Sequence, residues 1–474
     1  MNQVNPADMV IIGGGPAGIA AATAAAQQGA SVVLIEENLN LGGKVLSHSG
    51  ENLFGIRAEA IEARIRHRMF KSFRRVSSRI KVYTGTQAWH TDSCSDDCKE
   101  VYLQPAPGSV APSSVRGRTL VIAAGAMERM IPFPRWTLPG VYSAGGLNAL
   151  VRKGVIPGKR FLIAGTGPLQ VALAHHLAKK GADVAAVITP LSFARIFPHV
   201  KDLVSGIGFF KFISIANYLF TLQRLRIPVH PTFTIVEALG RDALDHAVIA
   251  RADASGRPLP ESRRLLSVDT IGVGYGLVPG TDMTRLCGCR HDYDDHAKYW
   301  KVRCNSNQET SVSGVFVAGD GSAIRGYSAA MEEGNVAGIE ACVHIGIVSR
   351  KNADALTRPF VVRLKRMNRF GRAMDALSLP GSGMVSAIPD YTVICRCEDV
   401  TVADVRMAAV NGAADINDLK RRTRIGMGHC QGRFCGQMVY DLMEHISGKP
   451  VARECFTPRI PAKPITFKTL AEER

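Results

Sequence analysis

Four cysteines near the C-terminal end fall into two tight pairs, Cys395-Arg-Cys397 and, after 32 intervening residues, Cys430-Gln-Gly-Arg-Phe-Cys435. Four thiolates so arranged suit a tetrahedral sulfur site, iron–sulfur or zinc. C-x-C followed by C-x4-C is not zinc-ribbon spacing, where C-x2-C pairs dominate, and reduced free thiols are the plain alternative. Ahead of the second pair lie Arg421, Arg422, Arg424, Gly426 and Gly428. Their charges and backbone amides would offset negative sulfur. At the other end of the chain Gly13, Gly15 and Gly18 make G-x-G-x-x-G, and Glu36 follows Gly18 by 18 residues. That is dinucleotide chemistry: glycines let backbone approach a pyrophosphate, and a carboxylate accepts hydrogen bonds from a ribose diol.

The elements that must position these residues are legible in order. Val10-Ile11-Ile12 reads as a buried parallel strand, Pro16 and Ala17 open an alanine-rich helix, and Gly29 ends it. Ser31 to Ile35 reads as the second strand, closing in Glu36 and Glu37, and Gly42-Gly43-Lys44 is a further glycine turn able to wrap a cofactor. Leu120 to Ala123 ends in Ala124-Gly125, similar to the A-T-G-type strand of two-dinucleotide-binding flavoproteins, with Ala124 in the usual Thr position. Val315 to Ala318 ends in Gly319-Asp320, similar to the stretch of FAD-binding two-dinucleotide folds in which an Asp meets the ribityl chain and the following helix, here over 329–345, points its N-terminus at the flavin. Asp320 as a simple helix N-cap has the same geometry. The three motifs in this order make FAD the expected cofactor. A second unit begins at Arg160: strand, Gly165-Thr-Gly167, alanine-rich helix, strand. Here Gln170 stands for the third glycine and Thr189-Pro190 for the terminal acid, so the fold is expected and a nicotinamide ligand is left open.

The fold class that follows is α/β, a two-dinucleotide-binding (Rossmann-like) flavoprotein with a small helical C-terminal domain. Residues 1–135 and 301–350 read as a discontinuous FAD-binding domain and 136–300 as a second nucleotide-binding-like domain. Residues 351–388 read as a basic linker, 389–450 as the cysteine domain and 451–474 as a tail for subunit contact. Lys and Arg total 58 against 41 Asp and Glu, a net charge of +17 that calls for an anionic partner. The cations are spread and not interleaved with aromatics, which excludes nucleic acid and leaves an acidic subunit or bound phosphates. The densest basic stretch, Arg350 to Arg372, is a solvated helix or a docking surface. No run of 18 apolar residues suggests a membrane span, and the N-terminus lacks a signal-peptide pattern, so a cytoplasmic location is expected. With eleven cysteines in such a chain, Cys287, Cys289, Cys304, Cys342 and Cys455 read as structural, and Cys94 and Cys98 as a chance pair.

With these motifs in place, the chain resembles the α-type subunits of heteromeric bacterial amine and imino-acid dehydrogenases. That family includes opine oxidases, D-hydroxyproline dehydrogenase, the hydrogen cyanide synthase flavoprotein, dye-linked proline dehydrogenase and heterotetrameric sarcosine oxidase. The resemblance covers nearly the whole length and includes Phe133 to Gly140, Gly319 to Gly326 and the proline-rich Thr457 to Pro464. The cysteine region is similar to the helical 2Fe–2S domain first known from bacterioferritin-associated ferredoxin. The resemblance implies FAD and a 2Fe–2S cluster on Cys395, Cys397, Cys430 and Cys435. It implies a β-type FAD-dependent partner that oxidises a secondary amine or imino acid, and in some members an FMN at the subunit interface together with a small γ subunit. Others hold NAD or ATP at the second site, and a complex can sit peripherally at the inner membrane. This chain then carries electrons and no substrate-oxidising residue, so no catalytic residue is named. The rival is a self-contained NAD(P)H-dependent flavoprotein reductase; a non-catalytic scaffold is a third reading, to which four paired cysteines are superfluous.

Overall fold

Short branched apolar runs, too brief for helices, become the strands of two parallel sheets, and alanine-rich segments become the helices that lie on them. The computed structural model describes residues 6–46, 57–95, 98–204, 207–448 and 450–471, without side chains at 57–62, 93–95, 193, 204 and 207–214. The Cys94 side chain and part of the 451–474 tail lie outside the described residues. In the first sheet the parallel order is Ile80–Tyr83, Val32–Ile35, Ala7–Ile12, then Ser114–Ile122. The last of these serves two partners: its end pairs in parallel with Val315–Val317, its beginning antiparallel with Cys98–Pro105. Met9, Val10 and Ile11 are wholly buried, as a strand covered on both faces demands.

The helix Pro16–Gln27 is buried from Ala17 to Ala26 because a second helix, Tyr327–His344, lies directly on it. Gly334 and Gly338 permit that approach: a Cβ on either would fall 2.1 and 2.4 Å from the carbonyl oxygens of Ala17 and Ala21. The second helix starts two residues earlier than expected, at Tyr327.

The second sheet runs Val229–Pro231, Asp183–Thr189, Arg160–Thr166, Thr270–Tyr275, Val141–Ser143, all parallel. A three-stranded antiparallel sheet (Phe233–Leu239, His246–Arg251, Arg264–Ser267) leans on it. The apolar run from Leu265 to Val278, which reads as one strand, is cut at Asp269. Its carboxylate turns aside to accept from Lys159 N at 2.9 Å and Arg160 N at 3.1 Å.

The basic stretch beyond residue 350 is one long helix, Arg350–Ser378, started by the Ser349 hydroxyl. Ala353, Thr357, Leu364, Met367, Phe370, Ala373 and Leu377 are buried at helical spacing, so one stripe packs while the cations face out. The cysteine domain follows as a small hairpin, Val393–Cys395 with Val400–Thr401, and the helices Val402–Val410, Ile416–Thr423 and Gly436–Ser447. Thr401 and Asp415 cap the first two helices, Thr401 in a reciprocal capping box with Asp404. The domain shares one apolar core with the second sheet, and Trp136 Nε1 donates to Val393 O at 2.6 Å. Part of the tail is spent on its own chain: Ala462 N donates to Trp89 O at 2.9 Å and Thr466 N to Gln104 Oε1 at 2.8 Å. Residues 462–466 therefore line the first sheet's meander and offer a partner less than the whole tail.

Candidate functional site

The first glycine turn is built so that each glycine has its own reason. Gly13 holds φ +104°, and a Cβ there would strike Ala123 O at 2.3 Å; a Cβ on Gly18 would strike Gly13 O at 1.8 Å. In front of Gly15 the only atom within 4 Å is the Cα of Gly43, at 3.8 Å, and in front of Gly125 there is none. The helix opens with Gly15 as N-cap and Pro16 behind it, without a side-chain cap, so its first amides are left for an anion. Glu36 is buried and already aimed: Oε2 accepts from Gly14 N at 2.7 Å, and Oε1 from Asn38 N at 2.8 Å and Asn38 Nδ2 at 2.6 Å. Lone pairs on both oxygens remain for a ribose diol.

Around this turn stand the other expected residues. Gly43, at φ +60°, packs on Gly15, and Lys44 Nζ donates to Ala126 O at 2.8 Å, beyond the Ala124-Gly125 corner. Burial lowers the Lys44 pKa, against the pull of Glu128 and Glu37. Asp320 Oδ1 accepts from Arg325 N at 3.1 Å and Gly326 N at 3.0 Å, just ahead of the Tyr327–His344 helix. Gly319 sits at φ +77° against Ala17 and Ala330, its N–H on Glu333 Oε2 at 2.8 Å. Glu333, fully buried in an ion pair with Arg325, is a residue that sequence reasoning missed, since only the fold shows what its carboxylate braces. Glu37 faces outward and pairs with Lys463 of the tail.

The second turn repeats the plan and departs from it. Gly165 holds φ +124° against Gly274 O, and Gly167, φ +95°, is the N-cap of Pro168–Lys179. Gln170 is buried where a third glycine would be, its Nε2 donating to Gly274 O at 2.6 Å. The last residue of the long basic helix lies against the turn. Ser378 O accepts from Thr166 Oγ1 at 2.8 Å, and a Cβ on Gly167 would come 3.4 Å from Ser378 Oγ. Arg195 Nη2 ties that helix end down through Ala376 O at 3.0 Å and Leu379 O at 2.9 Å. Glu128 reaches into the same region and takes Gly145 N at 2.7 Å. Neither Ser378 nor Glu128 carries a motif that could have flagged it.

The four cysteines of the C-terminal domain are brought together in pairs. The Cys435 thiol donates to Cys395, which pulls the Cys395 thiol down to about 6, and the Gly426 amide adds to this. Cys397 faces Cys430. Among the described residues no three His, Cys, Asp or Glu side chains group closely enough to hold a single metal ion. Gly428 presses on Cys397, where a Cβ would fall 2.3 Å from its Cβ, and Phe456 of the tail covers Gly426, Gly432 and Gly436. Burial lifts the thiols of Cys287 and Cys342 to about 12 and that of Cys304 to about 11, which leaves them inert packing groups.

A short bridge joins the two candidate sites. Gly280 N donates to Gly125 O at 2.9 Å, and two residues on, Asp282 Oδ2 takes Arg433 Nε at 2.7 Å, within the Cys430–Cys435 loop. A cavity of about 70 Å³ lies between them, with Met127, Val278 and Thr281 on one side and Gly432 and Gln437 on the other.

Residues 7–334 match the family described as pyridine nucleotide-disulphide oxidoreductase, and residues 391–474 match the sarcosine oxidase A3 domain. The HcnB subunit of hydrogen cyanide synthase from Pseudomonas protegens is 32% identical, covering 98% of this chain and 97% of its own length. The chain belongs to the HcnB family. Within that family, an opine oxidase subunit from Rhizobium meliloti is 30% identical over 98% of both chains. The sarcosine oxidase alpha subunit of Corynebacterium sp. is 24% identical over 98% of this chain, which spans 45% of that longer protein. The crystal structure of L-proline dehydrogenase from P. horikoshii shares the fold, with a TM-score of 0.71 at 19% identity over 98% of this chain and 79% of that one. The HcnB-family chain is thus a flavin oxidoreductase subunit with a Rossmann-like α/β fold, and FAD is the flavin its family supports. Among the described residues no helix is long and apolar enough to cross a membrane.

Proposed function

We propose that this chain is the electron-transfer subunit of a heteromeric amino-acid or opine-type dehydrogenase. FAD is held by Gly13, Gly15, Pro16, Ala17, Gly18, Glu36, Gly43, Lys44, Ala124, Gly125, Gly319 and Asp320, and a 2Fe–2S cluster by Cys395, Cys397, Cys430 and Cys435. A β-type flavin subunit oxidises the amine, a CH–NH donor, and supplies the electrons. The observation that supports this reading is the Gly125–Gly280–Asp282–Arg433 bridge, which ties the cysteine loop to the Ala124-Gly125 corner. When bound, FAD would take up two electrons and the cluster would pass them on singly.

What the chain's own residues do follows from their positions. The uncapped helix at Gly15 meets phosphate charge, and Glu36 fixes the ribose end. The two thiol pairs, Cys435 with Cys395 and Cys430 with Cys397, would supply two ligands to each iron of a 2Fe–2S cluster. Arg433, neutralised by Asp282, holds the loop without adding a free cation at the sulfurs. Gly165 and Gly167 serve a structural turn, with the Ser378 helix end in place of an NAD or ATP. A γ subunit, an FMN at the subunit interface and a cytoplasmic location complete the reading.

The test is anaerobic. NADH added to the purified chain should leave the flavin band unchanged, and bleaching should require a partner subunit with an amine or opine substrate. Rapid bleaching by NADH alone would make the chain a self-contained reductase instead. Cys430→Ser should remove the cluster iron while flavin content stays constant; unaltered iron content defeats the ligand assignment.

A further inference from the structure

A cavity of about 390 Å³ lies on the cysteine domain, between the helix Ile416–Thr423 and the tail at Thr457–Arg459. Four cations line it, Lys420, Arg421, Arg424 and Arg459, and no acid does. Residues 389–450 carry eight cations and eight acids, so this positive face is a local concentration and not a reflection of the chain's net charge.

The cations are poorly neutralised. Arg459 has no ion-pair partner among the described residues. Arg421 reaches Asp418 only at 3.5 Å, while Arg422 holds that carboxylate at 3.0 Å. Arg424, also on the lining, gives its Nε to Glu398 at 2.8 Å. Lys420 is only 8% exposed, donates to Thr457 O at 3.2 Å and stands 5.5 Å above the Phe456 ring. Its pKa is lowered first by burial and then by the neighbouring charge of Arg459, with Cys435 opposing and Arg285 adding to the fall. Facing the pocket from the other elements are Gln431, Met427 and Thr457, which are uncharged.

The position of the pocket gives it a use. Met427 and Gln431 on its wall flank Gly428 and Cys430, and Gly428 rests on the half-buried Cys397. Met427 on that wall is 36% exposed, and Phe434, within the Cys430–Cys435 loop, is 48% exposed. A cationic hollow with an apolar rim at the accessible edge of the sulfur site is the surface a transient redox complex uses: charge steers the encounter, and apolar contact brings the centres close.

We propose that this pocket docks an acidic, one-electron carrier protein as the chain's electron acceptor, with carboxylates of the carrier seated on Arg421, Arg424 and Arg459. The proposal rests on the electron-delivery reading above. One electron passes to the carrier's redox group, and no bond is made or broken.

The experiment uses the full chain, reduced photochemically without oxygen, and one haem protein in two charge states: cationic cytochrome c and its succinylated, acidic derivative. At low ionic strength the succinylated form should be reduced about tenfold faster or more, and added salt should erase the difference. Arg459→Glu should cut the preference several-fold, while the rate with a neutral quinone holds. That side chain is exposed; should the variant fail to fold, Arg459→Gln should halve the preference or more. Equal rates for the two cytochromes in the unaltered chain, or a preference the variants do not move, overturns the docking site. Electron paramagnetic resonance of the reduced chain reads the other premise separately: no cluster signal there overturns the electron-delivery reading, whatever the cytochromes show.

Discussion

The two glycine turns start from the same local plan of strand, turn, proline-led helix and strand, and diverge in what each keeps in front of the turn. At Gly13–Gly18 the third glycine lets the helix settle on the Gly13 carbonyl, and Glu36 is buried and oriented. At Gly165–Gln170 a glutamine fills the closing position and bonds across to Gly274, while a helix end from elsewhere in the chain occupies the front. The two turns thus differ in the residue that closes them and in the element packed against them. Strand and helix burial supplies most of the stability of either unit, so each can stand as a packing module whatever it binds.

The sharpest way to break this contrast is Gly18→Val. The added Cβ would overlap Gly13 O at 1.8 Å, a backbone clash that no rotamer relieves, so the helix must lift away from the turn. The chain should purify without flavin or fail to fold. Flavin occupancy equal to the unaltered chain would show that the first turn is as structural as the second.

A smaller effect, of opposite sign, concerns the helix that plugs the second turn. Asp375, one turn before Ser378, has its carboxyl raised to about 7 by burial, with Asp294 adding repulsion and Arg129 and His296 opposing it. Its Oδ2 lies 3.4 Å from Tyr299 Oη. The folded chain therefore holds this proton over a pH range in which the unfolded chain, with a carboxyl near 3.8, has released it. Stability contributed by that proton falls as pH rises from about 4 to about 7 and is gone above. Asp375→Asn should raise the unfolding free energy at pH 8 by up to a few kcal/mol, at about 1.36 kcal/mol per pKa unit, and flatten the slope between pH 5 and 7. An unchanged slope would place the helix end in a wetter setting than Tyr299 and Arg129 give it.

How much of this was legible in the sequence depends on separation along the chain. The glycines of both turns, Glu36, the caps Thr401 and Asp415 and the paired cysteines act within a few tens of residues, where spacing carries the geometry. The Thr166–Ser378 contact spans 212 residues, and Gln87 meets Pro464 across 377. No local pattern encodes such meetings; they are settled when whole elements dock. Residues 351–388 read as a basic linker because their cations are conspicuous, while the buried stripe from Ala353 to Leu377 is diluted among them. The bridge from Gly125 to Arg433 was equally hidden, its residues ordinary until the cysteine domain is seated.

Glu36→Ala tests the open turn more gently than Gly18→Val. It removes the acceptor for Gly14 N and for any ribose hydroxyl, and a hydrogen bond to a charged group contributes about 1.5–3 kcal/mol. Flavin should bind about 10- to 100-fold more weakly, read as loss on dialysis, with the fold intact. Full retention would remove Glu36 from the site.

The smallest change sharpens the comparison from the closed side. Gln170→Ala deletes the Nε2 bond to Gly274 O and leaves a small cavity between the two strands, which should cost about 1–3 kcal/mol of stability. It should not create a nucleotide site, because Ser378 and Glu128 still hold the space in front of Gly167 and Gly145. Flavin content should be unchanged, and NADH should neither bleach the flavin nor protect the chain against heat. If the variant instead gains NADH-dependent protection, the glutamine alone had closed the turn. The docked helix end would then be a neighbour of that site and not its plug.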